Sequence, residues 1–105
     1  MGLDYPNLPY LIDGETKVTE TLAILKYISR KYRPALLGTT AAEMARIEML
    51  SNHVNTLKDS VINACYFDGD RDAIIKDSRS PLAKILKVKS TDIWIAGENL
   101  SWLDF

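Results

Sequence analysis

Two short stretches of this 105-residue chain hold the groups with the most chemical potential: Asn7-Leu8-Pro9, just ahead of the apolar run Tyr10-Leu11-Ile12, and the pair Glu20-Thr21. Glu20-Thr21 stands where a helical pattern begins. The free N–H groups and positive dipole end of a helix start suit a carboxylate, and a threonine hydroxyl adds a further donor. Read alone, each stretch is ordinary: Leu-Pro before a strand is a lead-in turn, and Glu-Thr at a helix start is a cap.

Other reactive side chains carry less. His53 is the sole histidine and lies on a long helical stripe with no second ligand nearby, which favours a packed or solvated imidazole over a metal site. Cys65 is the only cysteine, so there is neither an internal disulfide nor a cysteine-based zinc site, and it reads as a small buried apolar residue. Asp68-Gly69-Asp70-Arg71-Asp72 starts like a calcium loop but lacks the glycine at its sixth position and the glutamate at its twelfth, so it reads as a plain loop. No metal is expected.

The elements that must position these residues fall into two regimes. Up to Arg33 the pattern predicts a hairpin and a helix. Tyr10-Leu11-Ile12 forms one strand, Asp13-Gly14 a tight turn, and Lys17-Val18-Thr19 the return strand. In Glu20–Tyr32, Ala23, Ile24, Tyr27, Ile28 and Lys31 fall on helical spacing, and Arg33-Pro34 stops the run. The Ala35–Thr40 stretch then connects. From Thr40 the pattern is purely helical. Thr40 and Glu43 form a capping box, and Ile47, Leu50, Val54, Leu57, Val61 and Ala64 make one stripe of roughly 25 residues, ~38 Å long. Asp68-Gly69-Asp70 breaks it, a second helix follows from Asp70, and Ser80-Pro81 kinks or restarts that helix.

Composition excludes several classes. The chain is 47% hydrophobic and 26% charged, with a net charge of -1, which is globular and gives no electrostatic case for nucleic acid or an anionic membrane. No signal peptide or membrane-length apolar run is visible. A cytoplasmic location is the expectation. Ser101 and Asp104 form a further capping box one residue before the last position, Phe105, and a lone hairpin with one helix is rarely stable by itself. Both ends therefore read as cut, and the chain as a fragment.

The segment Gly2-Leu3-Asp4-Tyr5-Pro6-Asn7-Leu8-Pro9-Tyr10-Leu11-Ile12-Asp13-Gly14, followed by Lys17–Tyr32, resembles the middle of a cytosolic glutathione S-transferase, and is most similar to the Mu class. The similarity resumes at Arg46–Leu50, at Cys65-Tyr66, and from Trp94 to Gly97 and on to Asp104-Phe105. The first block is specific; the helical blocks alone are weak.

The resemblance implies an α+β fragment. Residues 1–33 would be the second half (ββα) of a thioredoxin-like glutathione-binding domain, 34–39 a linker, and 40–105 part of an all-helical C-terminal domain. It implies a cis Leu8-Pro9 bond, which proline permits at a cost of only ~0.5–1 kcal/mol. The Leu8 N–H and C=O would then stand unpaired toward a groove, to bind the cysteinyl part of glutathione as an added strand would. Asn7 would contribute a side-chain hydrogen bond. Glu20 would accept from the glutathione amino group, and the Thr21 hydroxyl and N–H would hold the γ-glutamyl carboxylate. Tyr66 would line the electrophile pocket. Tyr5 would be the aromatic key inserted into a partner subunit, with Lys26 and Glu48 at the same homodimer interface.

Where the Mu pattern has Gln-Ser, this chain has Glu20-Thr21, which keeps the hydroxyl and exchanges an amide for a charge. A Mu aspartate reaching across the dimer aligns with Thr56, so that contact is expected to be lost or weakened. Asn55, Leu57, Lys58 and Asp59 depart from the usual pocket set, so electrophile preference does not carry over. The tyrosine that activates the glutathione thiol in the family has no counterpart here, so no catalytic residue is assigned; Tyr10 comes from the wrong strand. The implied activity of the parent is conjugation of glutathione, a co-substrate rather than a cofactor, to apolar electrophiles, as in detoxification. A non-catalytic binding or structural relative, and an inactive truncated product or incomplete gene model, are the competing readings.

Overall fold

The computed structural model describes residues 2–67, 69–88 and 92–105. Its first unit is an antiparallel hairpin of β1 (Tyr10–Asp13) and β2 (Thr16–Thr19), in register from Tyr10 opposite Thr19 to Asp13 opposite Thr16. The turn falls on Gly14-Glu15, one residue later than expected, because Asp13 is the last paired strand residue. Gly14 takes φ 60° while Glu15 does not turn positive. That combination is a type II′ turn, whose twist matches the flanking strands and which favours glycine first.

Helix α1 (Thr21–Tyr32) follows directly. Its tie to the hairpin is Asp13 Oδ2, which accepts from the Tyr27 hydroxyl at 2.9 Å and from the Lys31 ammonium. The bond from Lys31, then that from Tyr27, holds the Asp13 carboxyl below its ordinary range, and the same carboxylate raises Lys31. Pro34 stops α1 and opens a 3-10 turn, Pro34–Leu37, within the expected connector. Gly38, at φ 99°, ends that turn. A Cβ there would come within 2.8 Å of the Met44 backbone nitrogen, so only glycine lets the connector pass so close to the next helix.

That helix, α2 (Ala41–Tyr66), is 26 residues long and starts as expected. Thr40 Oγ1 accepts from the Glu43 N–H at 3.1 Å, and the Glu43 carboxylate returns to Thr40 N–H at 3.3 Å and Thr39 N–H at 2.7 Å. The Thr39 hydroxyl first, then the Thr39 N–H, holds the Glu43 pKa down. On the apolar stripe Ile47, Leu50 and Ala64 are buried and Val54 and Leu57 half-buried, while Val61 is exposed. On another row, Asn52, Thr56 and Ser60 each donate a side-chain hydrogen bond to the carbonyl four residues earlier. Thr56, which aligns with the Mu-pattern aspartate, thus bonds its own helix.

Asp70 caps the short α3 (Arg71–Lys76) through the N–H groups of Asp72 and Ala73. Ser80 and Pro81 open a separate helix, α4 (Pro81–Val88), so the Ser-Pro step is a restart rather than a kink. Helix α4 packs along α2 and contributes Ile85 to the core. Asp68, part of the expected helix break and of the loop compared with a calcium site, lies outside the described residues. Among the described residues no cluster of three or more potential ligands could hold a metal.

The C-terminal segment is clamped back onto the start of α2. Arg46 Nε donates to the Ala96 carbonyl at 2.7 Å, Arg46 Nη2 lies 3.5 Å from Asp92 Oδ2, and Asn99 Nδ2 donates to Glu43 Oε1 at 3.2 Å. The Ser101–Asp104 capping box is present, and Asp104 Oδ1 also accepts from the Ile95 N–H at 2.8 Å. It frames a 3-10 turn, Trp102–Asp104, that seats Trp102 at 2% exposure. The architecture is α+β: a ββα unit followed by helices, in a flattened body of 47 × 35 × 17 Å. No helix among the described residues is long and apolar enough to cross a membrane.

Candidate functional site

The hairpin and α1 bring the two chemically promising stretches together. The loop before β1 leads to Asn7, Leu8 and Pro9; β2 then returns the chain antiparallel so that Glu20, the residue capping α1, comes back beside the loop. Asn7 Nδ2 donates to Glu20 Oε1 at 3.0 Å across thirteen residues of sequence. The Leu8-Pro9 bond is cis, as expected. Leu8 is 79% exposed, lies outside the hairpin ladder, and borders an open groove with Leu3, Pro6, Asn7 and Tyr10.

One expectation is corrected here. The Leu8 N–H is not unpaired: it donates to Asn7 Oδ1 at 2.9 Å, because the carboxamide one residue earlier folds onto the next amide. The Leu8 carbonyl has no hydrogen-bond partner among the described residues. Asn7 therefore uses both ends of its amide inside the chain.

Glu20 sits at φ 73° and ψ 119°, a region non-glycine residues avoid and which clusters at functional sites. Its carboxylate makes no hydrogen bond to the first turn of α1. The first backbone bond of the helix is Ile24 N–H to the Glu20 carbonyl at 3.0 Å, so the N–H groups of Thr21, Leu22 and Ala23 have no acceptor from a cap side chain. Asn7, Leu8, Pro9, Glu20 and Thr21 thus form one exposed surface: a free carbonyl, a helix N-terminus with a hydroxyl beside it, and a carboxylate held by an amide. Such a surface can hold an extended peptide bearing a carboxylate and an ammonium.

The remaining candidates lie apart. Tyr66 ends α2 and is 80% exposed, and its hydroxyl makes no hydrogen bond among the described residues. Tyr5 is 81% exposed in the loop before the site, beside a second groove with Leu3, Glu15 and Thr19. Lys26 and Glu48 meet each other within the chain, Nζ to Oε2 at 2.8 Å, joining α1 to α2. Cys65 is exposed, not buried, since it faces away from the stripe that ends at Ala64. His53 is exposed too. The Asn7–Glu20 bond itself had no signature in the sequence, because residues thirteen apart declare their contact only once the hairpin register is known.

Known proteins give this surface a context. Residues 3–30 match the family model described as "Glutathione S-transferase, N-terminal domain". The chain is 40% identical over 109 residues to "Glutathione S-transferase" of Dermatophagoides pteronyssinus, covering 100% of this chain and 48% of that protein. It is 36% identical over 108 residues to "Glutathione S-transferase 2" of Gallus gallus, covering 100% and 48%. It is 37% identical over 108 residues to "Glutathione S-transferase Mu 1" of Bos taurus, covering 100% and 49%. The chain is thus a relative of the glutathione S-transferases. It is Mu-class-like along its whole length, and it spans about half the length of the curated relatives it matches.

Proposed function

We propose that the chain supplies part of the glutathione site of a glutathione transferase, one that conjugates reduced glutathione to apolar electrophiles. Residues 1–33 would belong to its glutathione-binding domain, 34–39 to a linker and 40–105 to its helical domain. The γ-glutamyl carboxylate would dock on the N-terminus of α1, taking donors from the Thr21 N–H and hydroxyl. The γ-glutamyl ammonium would meet Glu20. The cysteinyl N–H would donate to the Leu8 carbonyl, and the cysteinyl carbonyl would share or take the Leu8 N–H from Asn7, in the manner of an added strand.

With the tripeptide so held, its thiolate is the nucleophile. Its sulfur lone pair forms a carbon–sulfur bond to the electrophilic carbon, and the displaced group leaves with the electron pair of the broken bond. Tyr66 would hydrogen-bond to the electrophile. Tyr5 would key into a second subunit of a homodimer, with Lys26 and Glu48 beside that interface. Detoxification in the cytoplasm fits this reading. No side chain of this chain is assigned to lower the thiol pKa, so the 105 residues alone are expected to bind glutathione weakly and not to turn over.

The observation that supports the reading most is that Asn7 and Glu20, from the two promising stretches, are in contact at 3.0 Å. The test is a titration of the isotope-labelled chain with reduced glutathione, followed by amide NMR. Saturable shifts at Leu8 and Thr21, lost in Thr21→Ala, are expected. Shifts that are absent, or confined to other residues, would overturn the reading.

A further inference from the structure

Glu20 is an unusual cap. A side chain at this position normally turns onto the first N–H groups of its own helix, yet the Glu20 carboxylate is directed across the chain to Asn7 Nδ2 at 3.0 Å and makes no bond to α1. The other end of the same Asn7 amide accepts from Leu8 N–H at 2.9 Å. One planar carboxamide therefore joins the loop that presents the Leu8 backbone to the residue that begins α1.

We infer that Asn7 is a positioning residue, whose amide draws the Glu20 carboxylate off the α1 N-terminus and fixes the spacing between the Leu8 backbone and the helix start. This inference rests on the glutathione-binding reading and deepens it. A carboxylate left to rotate freely at Glu20 would fold back onto the N–H groups of Thr21, Leu22 and Ala23, where it would compete with the ligand's own carboxylate for the same donors and repel it. Held by Asn7, it faces the side from which an ammonium approaches. Asn suits this task because it offers a donor and an acceptor on one rigid plane. Aspartate at the same place would keep the bond from Leu8 but turn a donor into a second carboxylate facing Glu20.

The test is a double-variant cycle read by the same glutathione titration. Asn7→Asp is expected to weaken binding roughly ten-fold, the size of one lost hydrogen bond to a charged group. In the Glu20→Gln background the change is expected to shrink to within about three-fold, because the glutamine amide can donate back and the bond re-forms with donor and acceptor exchanged. Asn7→Ala, which removes both arms at an exposed position, provides a second variant that tests the same coupling. If wild type binds and either Asn7 variant loses equal affinity in both backgrounds, Asn7 acts independently of Glu20 and this inference alone is overturned. If wild type shows no response at Thr21, the glutathione-binding reading falls and the inference with it.

Discussion

Lys26 Nζ stands 2.8 Å from Glu48 Oε2 and, on its other side, 5.1 Å from the centroid of the Trp102 ring. Through that one ammonium α1, α2 and the C-terminal turn meet, so the ββα unit that carries the candidate site is fastened to the helices behind it. Lys26 is one-quarter exposed and Glu48 half-exposed, which keeps the ion pair modest. Lys26→Ala is expected to lower stability by about 1–2 kcal/mol, the ion pair and the ring contact together. Urea unfolding of the two single variants and the double variant with Glu48→Ala would give a coupling of ~0.2–1 kcal/mol.

Trp102 itself is the largest side chain buried to 2% exposure. Trp102→Ala is expected to cost about 3–5 kcal/mol. Against a total of roughly 5–15 kcal/mol for a stable domain, that loss leaves little folded chain at moderate temperature. Loss of the cooperative thermal transition checks it.

Glu20→Gly separates stability from binding. Glycine accepts φ 73° without steric cost, so relief of the strained backbone should raise stability by about 1 kcal/mol, net of the added freedom of the unfolded chain. The same change removes the carboxylate and should weaken glutathione binding. A higher melting temperature together with weaker shifts at Thr21 is the expected pair of results.

Acid should unfold the protein through a small set of carboxylates. Asp13, Glu43 and Asp77 are all held low, chiefly by hydrogen bonds from Lys31, Thr39 and Arg79 in turn. A carboxylate with a lower pKa folded than unfolded adds stability that is complete above its unfolded value. That contribution disappears as pH falls through the lowered one, so the loss begins near pH ~4 and continues below it. Lys31, raised by Asp13, behaves oppositely: its contribution is complete below ~10.4 and is lost as pH rises beyond that. Unfolding free energies measured from pH 7 to pH 2 should decline on this acid limb. Glu43→Gln should flatten it, because the amide oxygen can still accept from the Thr40 and Thr39 N–H groups while the titrating carboxylate is gone.

Much of this fold was legible because its signals are local. The Thr40–Glu43 and Ser101–Asp104 boxes, the Arg33-Pro34 stop and the interruption at Ser80-Pro81 each depend on neighbours within four residues, and each is found where expected, although the Ser-Pro step alone did not choose between a kink and a restart. The hairpin was legible to within one residue, since Asp-Gly marks a turn without saying which of its two residues sits at the corner. Burial was less so. Val61 shares the spacing of Ile47 and Leu50 yet is 43% exposed, because spacing names the face and only the neighbours packed on it decide burial. At the site the residues were legible, but their mutual bonds were not. Leu8 N–H was expected to be open, and the side chain that claims it belongs to the preceding residue, whose rotamer the sequence does not specify.

The central claim is that the Leu8 loop and the start of α1 together hold glutathione. A crystal structure of the chain soaked with reduced glutathione addresses it directly. The expected result has the γ-glutamyl carboxylate within hydrogen-bond reach of the Thr21 N–H and hydroxyl, and the cysteinyl backbone antiparallel to Leu8. Glutathione seated instead in the cavity between the Pro34–Leu37 turn and the C-terminal segment, lined by Arg33, Glu43 and Asn99, would contradict it.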